Sequence, residues 1–167
     1  VLRRWLLPPY RIDGWRLDVA NMTARQGMQQ LEHKIWRGVR RAVKADQPET
    51  YLVGENFYDG TPHLQGDELD AVMNYQGFTI PVWSWLRGRE LPAEVTYGRE
   101  WLDPFPLPAE ALAEQWQRFR AAVPWVVTRQ QFNQLGSHDT PRILSLVGGD
   151  KNLLRLGVVL LLTFPGV

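Results

Sequence analysis

Short apolar runs alternate with longer amphipathic segments along this chain, and polar loops separate them. The short runs predict four β-strands, at residues 13–20, 51–54, 71–75 and 131–135. Most of these strands precede a segment with helical periodicity, which is typical of parallel strands joined by helical crossovers. The pattern therefore predicts an α/β fold, either half of an eight-stranded barrel or a small open sheet.

The helices are predicted from apolar residues that recur every three or four positions. Such a stripe predicts a helix over residues 23–45, which the proline-containing segment 46–49 ends. This stripe consists of Met28, Leu31, Ile35, Val39 and Val43. Further helices are predicted near 80–86, from Pro108 onward with a stripe of Leu112, Trp116, Phe119 and Val123, and over 151–163. Residues 102–108 contain three prolines and are predicted to form a loop.

The first predicted strand carries charged residues on one of its two faces. Because successive strand residues point to opposite sides, Arg16 and Asp18 share a face with Gly14. The other face carries Trp15, Leu17 and Val19. A strand with an arginine and an aspartate on one face is not a simple core strand, so this face is a candidate for chemistry.

The composition narrows the partners that the protein can have. Hydrophobic residues make up 44% of the 167 residues and charged residues 22%, which is the profile of a soluble globular protein. The net charge of +1 gives no electrostatic reason to expect nucleic acid or an anionic membrane. The apolar stretch 153–164 is too short to span a bilayer. The absence of cysteine excludes disulfides and thiolate metal sites and leaves the compartment open.

Three of the predicted strands lead into acidic residues, namely Asp18, Glu55 and Asp139. The carboxyl ends of parallel strands meet at one edge of the sheet, where ligands bind. Carboxylates gathered there repel one another. Such a cluster is tolerated when it binds a cation, or when a catalytic role requires carboxyl groups with different pKa values. Arg16 lies two residues before Asp18, and a cation in that place keeps the aspartate charged, as a nucleophile requires.

Glycoside hydrolysis is a task that needs such a pair of carboxyl groups. In a retaining enzyme one carboxylate attacks the sugar and the other group donates a proton, and the two lie about 5 to 5.5 Å apart. Neighbouring strands lie about 4.8 Å apart, so adjacent strand tips meet this requirement. Asp18 and Glu55 are separated by one strand–helix–strand step.

Three motifs then resemble those of the α-amylase family of glycoside hydrolases, family 13. Segment 13–20 resembles the fourth-strand motif of that family, 51–55 is similar to the fifth-strand motif, and 133–140 resembles the seventh-strand motif. Residues 71–75 fit the sixth strand, and 164–167 look like the turn before the eighth. Within the family, the chain looks closest to the maltodextrin glucosidases and neopullulanases.

The resemblance implies a role for each of five residues. It makes Asp18 the nucleophile, Glu55 the general acid/base and Asp139 the residue that stabilises the transition state. Arg16 would orient the nucleophile and His138 would bind the sugar. The implied reaction is retaining hydrolysis of α-glucosidic bonds in maltodextrins or related α-glucans, with an oligosaccharide as partner. The implied reaction needs no cofactor and no metal. The implied cellular location is cytoplasmic.

The resemblance also implies that residues 1–167 are a fragment of a single catalytic (β/α)8-barrel domain, about strands four to seven. The first three strands, the eighth strand and the Asn-His motif of the family are absent from it. We therefore expect the 167-residue piece to be inactive by itself.

Other readings of the same residues stay open. A transglycosylase of the same family would use a sugar hydroxyl in place of water. A metal-dependent barrel enzyme would bind Mg²⁺ with the three strand-end carboxylates, and a non-catalytic relative would keep the barrel as a scaffold. His33 and His63 have no partner at a spacing typical of metal ligands, so the sequence assigns neither of them a function.

Overall fold

The computed structural model describes residues 1–87 and 106–167. The strands in this part of the chain are β1 (Gly14–Leu17), β2 (Arg25–Gln26), β3 (Gln29–Gln30), β4 (Tyr51–Gly54) and β5 (Ala71–Val72). The α-helices are α1 (Leu2–Leu6), α2 (Glu32–Asp46), α3 (Ile80–Arg87), α4 (Ala109–Ala121), α5 (Trp125–Thr128), α6 (Ile143–Leu146) and α7 (Lys151–Thr163). Short 3-10 helices lie at Ala20–Met22 and Thr61–His63, and a π-helix lies at Tyr75–Thr79.

The central sheet is parallel, with strand order β1–β4–β5. Leu17 of β1 is in register with Gly54 of β4, and Gly54 is in register with Val72 of β5. This pairing confirms the predicted parallel α/β arrangement. It also places the ends of β1 and β4 side by side, so the residues that follow these two strands emerge next to each other.

The predicted fourth strand, 131–135, is wrong in extent. Phe132 forms an isolated parallel bridge with Met73, and no longer strand is present there in the described chain. The backbone nevertheless continues the hydrogen-bonded row, because the Asn74 N–H donates to Phe132 O at 2.8 Å. On the far side, the Val167 N–H donates to Gln131 O at 2.9 Å. A single bridge is therefore enough to place the segment after Phe132 beside the end of β5.

Both faces of the sheet are covered, which explains the nearly continuous apolar runs of its strands. On one face, Leu17, Leu52 and Val72 pack in a core cluster with Trp36 and Val43 of α2. The opposite face carries a second cluster formed by Val53, Ala71, Met73 and Tyr75. Burial of both sets removes large apolar surfaces from water and holds the strand ends in fixed relative positions.

The helix predicted over 23–45 begins only at Glu32, so the prediction is wrong for residues 23–31. Residues 25–30 form a small hairpin instead, and Gly27 turns the chain there with a φ of +54°. Met28 lies at the hairpin tip and is 99% exposed. Ile35 is also exposed, because α2 faces the core with Trp36, which was not in the predicted stripe, and with Val39 and Val43, which were. The apolar residues before Glu32 matched the helical period by coincidence.

The predicted strands 13–20 and 71–75 are shorter in the structure, at Gly14–Leu17 and Ala71–Val72. The remaining predicted elements are confirmed with small shifts. β4 and α7 have the predicted bounds, α3 extends to Arg87, and α4 begins after Pro108 rather than on it. Of the predicted stripe, Leu112 is buried within α4, and Val123 is buried two residues after the helix ends. Part of the predicted loop, 102–105, lies outside the described residues. None of the helices that the structure describes is long and apolar enough to cross a bilayer.

Asp70, a buried acid just before β5, should contribute strongly to stability. It accepts hydrogen bonds from Arg40 (2.7 Å) and the Leu52 N–H (2.9 Å), and Lys44 Nζ lies 2.9 Å from Oδ2. Burial raises the pKa of Asp70, but these hydrogen bonds outweigh burial and hold the pKa below its usual value. Asp70→Asn leaves two cations unpaired, so we expect a loss of about 3 kcal/mol in the free energy of unfolding at neutral pH.

The pH dependence follows from the direction of this shift. A lowered pKa stabilises the fold above the unfolded value of about 3.9, and this contribution is lost as the pH falls through the folded value. Urea denaturation should therefore separate wild type from Asp70→Asn at neutral pH and bring them together in acid. Asp67→Asn is the control, because its ion pair with Arg37 is half exposed and should be worth under about 1 kcal/mol. Equal losses in both variants would contradict the assignment.

Candidate active site

The end of β1 presents Arg16 and Asp18 on the side of the sheet opposite the buried Leu17. The Arg16 guanidinium donates a hydrogen bond to the Asp18 carboxylate. Val19 then adopts a left-handed conformation with a φ of 42°, and the chain turns away into the 3-10 helix. Asp18 is left at the turn with a side chain that is 77% exposed, so its carboxylate is open to a ligand.

Glu55 follows β4 directly and is fixed against the end of β1. Its N–H donates to Leu17 O at 2.8 Å, and its carbonyl oxygen accepts from the Ala20 N–H at 3.0 Å. The side chain is only 7% exposed. Oε2 accepts from the Val19 N–H at 2.8 Å, and Oε1 lies 2.8 Å from Arg16 Nη2. One guanidinium therefore contacts both carboxylates, and Glu55 is the buried member of the pair.

The third predicted acid, Asp139, lies in a turn that follows the Phe132 bridge. The Asp139 N–H donates to Ser137 Oγ at 3.1 Å, and the Ser137 N–H donates to Thr140 Oγ1 at 2.7 Å. His138 Nε2 lies 3.2 Å from Asp139 Oδ2, and the imidazole is 75% exposed. Hydrogen bonds within the turn thus hold the aspartate, while the histidine is accessible.

All three acids and His138 line one cavity of about 420 Å³. Its full lining is Asp18, Val19, Asn21, Glu55, Phe57, Tyr58, His138 and Asp139. Arg16 is not part of this lining but contacts the carboxylates of Asp18 and Glu55. The structure therefore brings together the predicted site residues, although they come from three separate segments. One exposed acid, one partly buried acid, one buried acid and aromatic side chains form a concave polar site suited to a hydroxyl-rich ligand.

Sequence reasoning missed Tyr75, which connects the parts of this site. Its hydroxyl donates to Ser137 Oγ at 2.8 Å, and its ring stacks on Phe57 with centroids 4.0 Å apart. Burial raises the pKa of Tyr75, and the nearby negative charges of Glu55 and Asp139 raise it further. The π-helix that begins at Tyr75 turns the side chain into this position. No spacing rule in the sequence gives that turn.

A second polar cluster lies beside the cavity and corrects the prediction for the two remaining histidines. His33 and His63 stack with ring centroids 4.6 Å apart, and both contact the buried Glu68. The expectation that they lack a partner is therefore wrong. The three residues come from different segments and meet only through tertiary packing.

The family follows from a comparison with known protein families. All 167 residues match the alpha-amylase catalytic domain. The chain belongs to the α-amylase family. This membership agrees with the resemblance of the strand-end motifs, and it accounts for the convergence of three acids at one edge of a parallel sheet.

Members of the α-amylase family with known functions match almost the whole chain. It is 38% identical over 157 residues to a cyclomaltodextrinase of Geobacillus thermopakistaniensis, a match that covers 94% of this chain and 22% of the relative. It is 38% identical over 163 residues to a maltogenic alpha-amylase of Bacillus acidopullulyticus, covering 98% of this chain and 24% of the relative. The chain therefore spans about a quarter of the length of these relatives.

Solved structures of the family agree with the fold. A debranching enzyme of Nostoc punctiforme, from crystals soaked with acarbose, superposes with a TM-score of 0.83 at 36% identity. The match covers 99% of this chain and 33% of that one. A cyclic alpha-maltosyl-(1→6)-maltose hydrolase of Arthrobacter globiformis superposes with a TM-score of 0.78 at 31% identity, covering 99% and 32%. The described chain is thus an α/β portion of the barrel fold that these neighbours share.

Proposed function

We propose that this chain carries the catalytic acids of a retaining hydrolase that cleaves α-glucosidic bonds in maltodextrins or related α-glucans. The observation that carries the proposal is the pair of carboxyl groups on neighbouring strand ends, both in contact with Arg16 and both lining one cavity. We further propose that residues 1–167 correspond to strands four to seven of a single (β/α)8 catalytic domain, which is longer than this chain.

In the first step, Asp18 attacks the anomeric carbon of the sugar. The bond from that carbon to the glycosidic oxygen breaks, and the departing oxygen takes a proton from Glu55. The product is an ester between the sugar and Asp18. In the second step, Glu55 removes a proton from water, and the water oxygen attacks the same carbon and releases Asp18. Two inversions leave the configuration unchanged.

The difference in exposure between the two acids supports this division of roles. Asp18 is open to solvent and can approach a sugar ring without moving the backbone. Glu55 is buried and held at both oxygens, so it has a fixed direction toward the cavity. Arg16 fixes the spacing between them, because its two terminal nitrogens contact one carboxylate each. Fixed geometry of this kind lowers the entropic part of the barrier.

Asp139 and His138 would hold the reacting sugar. Both line the same cavity as Asp18 and Glu55, and they lie beside each other in one turn. A carboxylate that accepts hydrogen bonds from ring hydroxyls can strengthen those bonds as the ring flattens toward the oxocarbenium ion. The Tyr75 hydroxyl donates to Ser137 Oγ, which also accepts from the Asp139 N–H, so Tyr75 helps to hold the turn that carries these two side chains.

The substrate class and location come from the relatives. Several are named for α-glucan substrates, among them neopullulanase 2 of Thermoactinomyces vulgaris. One is named an intracellular maltogenic amylase of Bacillus subtilis. On this basis we propose an oligosaccharide substrate and a cytoplasmic location. The contact of Arg16 with both Asp18 and Glu55 disfavours the alternative in which these acids bind Mg²⁺, because a guanidinium already occupies the cation's position.

Anomeric analysis tests the proposal directly. The full-length protein should cleave maltotriose, and proton NMR in the first minutes should show the new reducing end as the α-anomer. A β-anomer formed first would contradict the retaining mechanism. Activity that a chelator removes and Mg²⁺ restores would instead support the metal-dependent alternative. Products longer than maltotriose at high sugar concentration would identify a transglycosylase with the same two acids.

A further inference from the structure

We propose that His33, His63 and Glu68 form a binding site for one Zn²⁺ ion or a similar divalent transition metal. One ligand atom from each residue lies within 4.8 Å of the other two. His33 is in the first turn of α2, His63 ends the second 3-10 helix, and Glu68 lies before β5. Imidazole and carboxylate are common zinc ligands in proteins.

The positions of the donor atoms suit one ion. The two imidazoles stack with an angle of 28° between their planes, and Nδ1 of each ring is directed at the Glu68 carboxylate. His33 Nδ1 is 3.1 Å from Glu68 Oε2, and His63 Nδ1 is 2.7 Å from the same oxygen. Zinc bonds of 2.0–2.2 Å in a tetrahedral arrangement place neighbouring ligand atoms about 3.3 Å apart. Small rotations of the side chains are enough to admit the ion.

Burial and charge also favour a cation. Glu68 has no exposed surface, and the His63 side chain is 8% exposed. Arg37 Nη2 lies 3.3 Å from Glu68 Oε1, but Arg37 is half exposed and also binds Asp67 at 2.6 Å. The arginine is therefore shared between two carboxylates, and Glu68 Oε2 is left facing two imidazoles. The buried carboxylate and the two imidazoles therefore offer oxygen and nitrogen donors that a metal ion can bind.

An independent observation concerns Glu32, which lies beside this cluster. Glu32 is 7% exposed, and its Oε2 has no hydrogen-bond partner among the residues that the structure describes. Its Oε1 is 3.9 Å from His33 Nε2. When Nδ1 of His33 binds a metal, Nε2 carries the proton, and a side-chain rotation that shortens the 3.9 Å separation lets it donate to Glu32. Carboxylates in this position orient metal-binding histidines and raise their basicity.

The cluster is also accessible. His33 and His63 line a cavity of about 380 Å³ together with Glu32, and this space can admit a metal ion and a water molecule as fourth ligand. Asn21 and Tyr58 line both this cavity and the one that contains Asp18 and Glu55. The metal site therefore adjoins the proposed active site but shares none of its acids, and it does not depend on the proposed reaction.

Zinc binding by the full-length protein tests the proposal. After chelator treatment and dialysis, calorimetric titration with ZnSO₄ near neutral pH should give a site of one Zn²⁺ per chain. His33→Gln and His63→Gln should each weaken that site at least tenfold. His138→Gln is the matched control, since it changes the third histidine of the chain, and it should leave zinc affinity unchanged. Equal affinity in all four proteins, or no binding by wild type, would overturn the proposal.

A measurement on the unmodified protein covers the case in which a variant fails to fold. Crystals of the full-length protein soaked in ZnCl₂ should show an anomalous peak within bonding distance of His33, His63 and Glu68. The visible spectrum of the Co²⁺-loaded protein should have the intense bands of a tetrahedral ion. A zinc peak only at other side chains would overturn the assignment. A hydrogen-bonded triad without metal affinity predicts neither signal.

Discussion

Asp18→Asn is expected to lower kcat on maltotriose by at least about 10³-fold, a loss typical of removing a catalytic nucleophile. Asparagine keeps the size of aspartate and can still accept a hydrogen bond from Arg16. Its neutral amide cannot displace the glycosidic oxygen to form the sugar ester. Because the Asp18 side chain is 77% exposed, the substitution should have little effect on the free energy of unfolding. Initial rates and a thermal melt of the full-length protein measure both effects.

The same substitution at the other end of β1 provides a matched control. Asp13 is exposed and directly precedes the strand, whereas Asp18 follows it. Asp13→Asn should keep wild-type turnover. A fluorinated glucoside with a good leaving group should add its mass to a peptide containing Asp18 in wild type, and not in Asp18→Asn. Absence of turnover in the wild-type protein would support the scaffold alternative. Unchanged turnover in Asp18→Asn, or labelling of another acid, would contradict the nucleophile assignment.

Elements with a clear apolar pattern between polar or proline-containing boundaries could be predicted from the sequence. β4 and α7 are examples, since each has a clear apolar pattern and a polar or proline-containing boundary. The start of α2 could not be predicted, because Met28 and Leu31 fit the helical period but lie in a hairpin and at its end. The segment after Gln131 reads as a strand, yet its pairing is limited to one bridge.

The candidate site divides in the same way. Asp18, Glu55 and Asp139 could be proposed because strand ends meet at one edge, a rule that requires only the order of the elements. Tyr75 and the His33–Glu68 contact depend on the packing of side chains that lie far apart in sequence. The hydrophobic periodicity and the spacing of residues along the sequence carry no information about such distances. These contacts could therefore be found only from the three-dimensional structure.

Glu55→Gln is expected to lower kcat on maltotriose by about 10²- to 10⁴-fold, because the glutamine amide cannot protonate the departing oxygen. The loss should depend on the leaving group. α-Glucosyl fluoride releases fluoride, which needs little protonation, so the first step should proceed at a rate close to that of wild type. The glutamine can still accept from the Val19 N–H, so the backbone between the two strand ends should keep its position.

This dependence on the leaving group separates a general acid from a residue that only holds the site together. A structural role for Glu55 would slow maltotriose and α-glucosyl fluoride by the same factor, and that result would contradict the assignment. Glu49→Gln is the matched control, since Glu49 is exposed and lies before β4 rather than after it, and it should leave both rates unchanged. The second step gives an independent test of Glu55, because it needs this residue to activate water. Glu55→Gln should therefore accumulate the sugar ester on Asp18 when α-glucosyl fluoride is the donor. Added azide, which needs no general base, should release that ester as a glucosyl azide of α-configuration.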